Sequence, residues 1–238
     1  MFVHHLTVRC DGGRFRLDDD TRRLYLRTLG AVLARSDWRL LSYCLMSSHV
    51  HLGAEAGRDP IDDWLVPLHA TVGRAAGDPP LWASRYEVVI AEDARFASHM
   101  ISYQHNNPVR AGVANTAWDS AWSSHRAYLR LAPRPAWLDA RRGLALCGLP
   151  DDAVGRSRFD ETTHRRSLVR RDHWLSPEHV TVAAAGTRTL LRCPDATPLP
   201  IPAPGDTRPE SKPAALREPV PVPITREHAR GVPMPTPR

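Results

Sequence analysis

Close pairs of cysteine are missing from this chain. Cys10, Cys44, Cys147 and Cys193 are scattered, so neither a zinc ribbon nor a two-thiol redox motif can be built from them, and they read as free thiols of a reducing compartment. Long apolar runs are missing too: no stretch approaches the ~20 apolar residues of a membrane span. The opening Met1-Phe2-Val3-His4-His5-Leu6 lacks the basic region and apolar stretch of a secretion signal. The expectation is a cytosolic, nucleoid-associated protein with no membrane partner. Internal repeats are absent. Lysine is nearly so, Lys212 being the single one. The 32 basic and 26 acidic side chains leave a formal charge of +6 and a pI near 9.6. That balance favours a polyanionic partner, nucleic acid first, although codon usage alone can enrich arginine in this way.

At 238 residues there is material for one full domain and an appendage. More than half of the 22 prolines lie from Pro194 onward, in a stretch without helical or strand periodicity, so residues 194–238 are expected to form an extended, largely disordered tail. Before it, Phe2 to Arg9 alternates, with His4, Leu6 and Val8 on one side and His5, Thr7 and Arg9 on the other, which predicts a half-buried strand. Asp18 to Asp20 offer caps for a helix carrying Tyr25, Leu29, Val32 and Leu33 at helical spacing. Trp38 to Leu45 and His49 to Ala54 are strand-forming runs joined by Met46-Ser47-Ser48 as a hairpin. A second helix begins at Asp59-Pro60, with Ile61, Leu65, Leu68 and Val72 on one face and a kink or delay expected at Pro67. Arg85 to Ala91 reads as a fourth strand, and Asp93 caps a third helix that Pro108 is expected to end near Asn107. The order strand, helix, strand, strand, helix, strand, helix predicts an α+β fold: a ferredoxin-like split βαβ with an antiparallel sheet and helices on one face. Residues 132–193 read as an extension with short helices. Its basic cluster, Arg165-Arg166 and Arg170-Arg171 near Trp174, fits either an auxiliary DNA-binding surface or a solvated helix face.

In Ser48-His49-Val50-His51-Leu52 the histidines are two apart on a predicted strand. Both imidazoles therefore project from one face, while Val50 and Leu52 point to the other. Two readings stay open for such a pair, namely two ligands of one ion or structurally inert histidines. Tyr103 and Asn107 are i and i+4 on the third predicted helix and share a face, about 40° apart around the axis, so a phenol and an amide oxygen can address one site. A phenol with a pKa of about 10 is a poor nucleophile when free and needs a cation on its target or a neighbouring base. The alternative is a packed aromatic with its hydroxyl hydrogen-bonded.

Taken together and in order, Tyr43-Cys44-Leu45-Met46-Ser47-Ser48-His49-Val50-His51-Leu52 and Tyr103-Gln104-His105-Asn106-Asn107-Pro108-Val109-Arg110-Ala111-Gly112 resemble the single-tyrosine HUH transposases, in particular the REP-associated branch. The likeness extends through Leu17-Asp18-Asp19-Asp20, through Arg85-Tyr86 to Glu92-Asp93, and through Ala121 to Tyr128. It implies a catalytic domain over residues 1–131 in which His49 and His51 bind Mg²⁺ or Mn²⁺, Asn107 supplies a third polar ligand and Tyr103 is the nucleophile. Nitrogen donors suit Mn²⁺ at least as well as Mg²⁺. The implied reaction is attack on single-stranded DNA, often beside a hairpin, leaving a 5′-phosphotyrosine and a free 3′-hydroxyl. Implied partners are single-stranded or hairpin DNA, with a homodimer as an open alternative to a monomer. Two places depart from the family pattern: Ser47-Ser48 replaces a common Pro-Asn, and Cys10-Asp11-Gly12-Gly13 replaces a Gly-Asn-rich turn.

Arg9, Arg14, Arg85 and Arg110 flank the expected site as candidates for phosphate contact. His105 and Asn106 join them as candidate DNA contacts, although His105, at i+2 from Tyr103, points away from it and also fits a structural role. Trp118 and Trp122 fit base stacking or packing against the domain. Two other functions fit parts of the pattern: a domesticated, non-cleaving protein that binds hairpin or single-stranded DNA, and a metal-dependent phosphodiesterase that uses water.

Overall fold

The computed structural model of the chain describes residues 2–13, 16–77 and 81–168, and the backbone of 185–189. Arg14, Arg170, Arg171, Trp174, Cys193, the expected tail at 194–238 and the side chain of Arg85 lie outside the described residues. Strands β1 (Val3–Cys10), β2 (Arg39–Leu45), β3 (His49–Glu55) and β4 (Trp82–Ala91) alternate with helices α1 (Asp19–Leu33) and α2 (Asp62–Ala75) in the expected order. They pair antiparallel in the spatial order β2-β3-β1-β4, the split βαβ arrangement. A fifth strand that the sequence did not suggest, β5 (Ala185–Thr189), pairs antiparallel with β4.

The caps read from the sequence do their work locally. Asp18 accepts from the Thr21 N–H at 2.8 Å to open α1, and Asp93 accepts from the Phe96 N–H at 2.7 Å to open α3 (Ala94–Arg110). α1 and α2 lie side by side on one face of the sheet, where Tyr25 Oη and His69 Nε2 are 3.1 Å apart and the Tyr25 ring meets Trp82 edge-on. Beneath them Leu6, Val8, Val50 and Leu52, alternate residues of β1 and β3, are fully buried. α2 runs through Pro67 from a start at Asp62, at the cost of the one bond that the missing N–H would donate.

The third helix, α3, covers the other face, so the helices flank the antiparallel sheet on both sides rather than on the single face expected. It continues one turn past the expected stop at Asn107, because the buried Pro108 sits in the last turn and Gly112, with φ at 69°, closes the helix in the left-handed conformation. Gln104 accepts a hydrogen bond from the Ser42 hydroxyl of β2. Helices α4 (His125–Tyr128), α5 (Ala140–Leu146) and α6 (Ala153–Ser167) pack onto the outer side of α3. Phe159 of α6 stacks on Tyr128 with ring centroids 4.9 Å apart. From the basic cluster of this segment, Arg166 is consumed inside the fold, donating to Ser98 O at 3.0 Å and Ser102 Oγ at 2.6 Å, whereas Arg165 forms an exposed pair with Glu161. No helix among the described residues is long and apolar enough to cross a membrane.

At Gly53 of β3 the helix α3 comes close to the sheet: a Cβ there would stand against the Ser42 hydroxyl and 2.8 Å from Gln104 Oε1. Gly53→Ala is expected to destabilise the protein by about 1–3 kcal/mol through overpacking. The measurement is a lowered urea midpoint with an unchanged slope.

Candidate functional site

On the face covered by α3, β3 presents His49, His51 and Gly53, and β1 presents His5, Thr7 and Arg9. The antiparallel register sets His51 opposite Thr7, His49 opposite Arg9 and His5 opposite Gly53. His5 is thus the diagonal neighbour of His51, within reach of a ring side chain. His51 Nδ1 lies 3.0 Å from His5 Nε2 and 3.2 Å from Thr7 Oγ1. The His49 and His51 rings meet edge-on at 4.7 Å, and Ser48 Oγ is 3.0 Å from His49 Nδ1.

Helix α3 lowers Tyr103 onto this surface. Its ring centroid is 6.0 Å from that of His51 and 5.7 Å from that of His5. Arg110, two turns further along, sets its guanidinium 5.4 Å from the Tyr103 ring centroid, a cation–π distance. Asn107 lies one turn after Tyr103, nearly buried, and its Nδ2 has no hydrogen-bond partner among the described residues. Segments far apart in sequence therefore bring His49, His51, Tyr103 and Arg110 together. His5 and Thr7 join them, although no motif in the sequence singles them out. The alternation of β1 already put both on one side; what it lacked was the register that puts them against His51.

Burial sets the electrostatics. Desolvation pushes the His5 imidazole down to about 4, and the His49 imidazole to about 4 with a further contribution from the Arg9 guanidinium. His51 falls well below its usual value, chiefly through desolvation and then through the neighbouring His5, His49 and Arg9. The three rings are accordingly neutral at neutral pH, with lone pairs to offer a cation or a donor. His51 Nε2 is buried without a hydrogen-bond partner among the described residues, while Nδ1 of the same ring is held from behind. No group of three or more His, Cys, Asp or Glu side chains among the described residues is placed to hold a metal ion. A cation at His49 and His51 would therefore complete its shell with amide, phosphate or water oxygens, a mixed donor set that Mn²⁺ tolerates and Mg²⁺ accepts less readily.

His105 and Asn106, expected among the DNA contacts, turn into the protein instead. His105 is 0% and Asn106 2% exposed. His105 Nε2 is 2.7 Å from Ser124 Oγ, and its Nδ1 is 3.1 Å from His125 Nδ1. His125 Nε2 is in turn 3.0 Å from Asp160 Oδ1 of α6, and Asn106 Nδ2 donates to Thr163 O at 2.7 Å. Two residues beyond Tyr103, His105 lies across the helix, so neither side chain offers a surface to a strand of DNA. Arg9 is half exposed and 3.6 Å from Glu87. Trp122 is half-buried under the guanidinium groups of Arg22 and Arg23 at 5.4 and 6.0 Å, while Trp118 is exposed.

No family model matches the chain, and no curated protein matches it. Among solved structures it is similar to one described as a REP-associated tyrosine transposase bound to a REP hairpin, with a TM-score of 0.50 and 16% sequence identity over 54% of this chain and 79% of that one. At that identity the likeness speaks for the fold.

Buried neutral histidines make the fold acid-sensitive. In the unfolded chain an imidazole takes its proton near pH 6.5, whereas His5 and His69 hold out to about 4 in the fold. Their contribution is complete above pH 6.5 and is lost as the pH falls from there toward 4, because unfolding then takes up protons. Urea titrations are expected to give a flat stability between pH 7 and 8. Below 6.5 the decline should be steeper than the ~1.4 kcal/mol per pH unit of a single proton.

Proposed function

We propose that this chain is a metal-assisted DNA strand transferase of the single-tyrosine HUH kind, cutting and rejoining single-stranded DNA in or beside a hairpin. The observation that carries the reading is the meeting of the Tyr103 phenol with the His49–His51 pair on one face of the sheet, at 6.0 Å between the Tyr103 and His51 rings. The likeness of the fold to a hairpin-bound tyrosine transposase supports it. The basic balance of the chain, +6 overall, suits the polyanionic substrate.

In the proposed step the Tyr103 oxygen forms a bond to phosphorus, the bond from phosphorus to the 3′ oxygen breaks, and the phenolic proton is passed on as the leaving oxygen becomes a 3′-hydroxyl. The cut end stays on the protein as a 5′-phosphotyrosine. Attack by a 3′-hydroxyl reverses the exchange, so one phosphodiester is consumed and one restored without an external energy source. His49 and His51, with Asn107 as third ligand, would hold Mg²⁺ or Mn²⁺, which when bound polarises the phosphate and makes it more electrophilic. Arg110 beside the tyrosine and Arg9 beside His49 supply positive charge where a phosphate would enter. The closeness of Tyr103 to His51 within one chain favours attack in its own site rather than in that of a second copy.

The test is a denaturing gel of end-labelled, hairpin-containing single-stranded DNA incubated with protein and Mn²⁺. Wild type is expected to give a covalent adduct that Tyr103→Phe abolishes. His49→Ala should reduce it by more than the roughly 10–100-fold typical of losing an outer-shell partner. Hairpin binding without any adduct would make the chain a non-cleaving DNA-binding protein, and cleavage that survives Tyr103→Phe would make water the nucleophile.

A further inference from the structure

Among the described residues two histidine pairs touch through ring nitrogens, and they differ at their ends. His105 and His125 form a closed chain, with Ser124 on the outer nitrogen of one ring and Asp160 on the outer nitrogen of the other. His5 and His51 form an open one. Their inner nitrogens are 3.0 Å apart, while the outer nitrogens, His5 Nδ1 and His51 Nε2, are both buried without a hydrogen-bond partner among the described residues. Leaving buried polar atoms unpaired is costly, so an open chain at a site that gathers further polar groups points to something that the outer nitrogen of His51 is meant to engage.

Two neutral rings in contact through one nitrogen each share a single proton between those nitrogens, and its position fixes the outer ends. If His5 Nε2–H donates to His51 Nδ1, then His51 carries its own proton on Nε2 and presents a donor, which repels a cation. If His51 Nδ1–H donates to His5 Nε2, then His51 Nε2 presents a lone pair. Both contacts of His51 Nδ1 suit the second arrangement, since His5 Nε2 and, at 3.2 Å, Thr7 Oγ1 can each accept, and only that arrangement gives the unpaired Nε2 a lone pair to offer a cation. Gly53 stands opposite His5 in the register and has no side chain to compete with the His5 ring for the diagonal position.

We propose that His5 is a positioning residue that accepts the Nδ1–H of His51, with Thr7 as auxiliary acceptor, and so holds the His51 Nε2 lone pair toward the cation. The proposal rests on the reading of His49 and His51 as cation ligands. It assigns to an imidazole the outer-shell task that a carboxylate or carbonyl commonly performs for a metal-bound histidine. A neutral outer partner leaves the ligand ring less electron-rich than a carboxylate would. The cation therefore stays a stronger Lewis acid toward the phosphate and is held less tightly.

The experiment uses full-length protein labelled with ¹⁵N in histidine. Two-bond proton–nitrogen correlation spectra of the metal-free protein report the tautomer of each ring, with the His51 signals identified by their loss in His51→Gln. Wild type is expected to show His51 as the Nδ1–H form. His5→Phe should move it toward Nε2–H and weaken Mn²⁺ binding, measured by calorimetry, about 10- to 100-fold. His5→Gln, whose amide oxygen can accept in place of Nε2, is expected to restore both readouts, and Thr7→Val to weaken binding by less than His5→Phe does. An Nε2–H tautomer in the wild type, or a His51 tautomer and Mn²⁺ affinity unchanged in folded His5→Phe, overturns the proposal. Should His5→Phe fail to fold, His5→Gln and Thr7→Val decide: Mn²⁺ affinity lowered as much in His5→Gln as in a variant lacking His51 also overturns it. Wild type that binds no Mn²⁺ overturns the cation reading itself, whichever tautomer is seen.

Discussion

The close seating of α3 on β3 is the contact on which the site depends. A helix laid on a sheet normally stands off by the thickness of the side chains between them. At Gly53 there is none on the strand side, and the Ser42 hydroxyl and the Gln104 amide fill the gap with a hydrogen bond. Gln104 is the residue after Tyr103, so the depth at which the helix sits there also sets how far the phenol reaches over the imidazoles. The proposed chemistry would in this sense be positioned by a residue that contributes no functional group.

Around that contact the molecule keeps its imidazoles neutral. His5 and His51 are nearly sealed from solvent, which makes protonation costly and leaves their nitrogens as neutral donors and acceptors. Positive charge sits at the rim instead, on Arg9, 3.6 Å from Glu87, and on Arg110 over the Tyr103 ring. The site thus has a neutral floor and a cationic edge.

Much of the framework was legible in the sequence. The alternation in β1, the helical spacing after Asp18 and the caps at Asp18 and Asp93 are local signals, and each led to an element of the structure. The Met46-Ser47-Ser48 link was equally local, and it does join β2 to β3 as a hairpin. Pro108 misled because a proline in a last turn forfeits only one bond, and its ring is buried there. His5 and Thr7 went unmarked because their part depends on which residues of β3 face them, and pairing register is a property of two strands together. His105 lies next to motif residues in sequence yet across the helix in space, so its burial against Ser124, His125 and Phe159 depends on how segments distant in sequence pack together. β5 is short and follows residues outside the description, and nothing in its composition announces an edge strand.

The outer side of α3 has a consequence of its own. Asp160, Thr163 and Arg166 recur every three residues along α6 and take hold of His125, Asn106 and Ser102, while Phe159 fills the space beside His105. The tyrosine helix is thus splinted by sequence downstream of every recognisable motif. If the proposed activity holds, lesions in that splint would mimic lesions among the histidines and the tyrosine, and a survey of inactivating changes that looked only there would misattribute them.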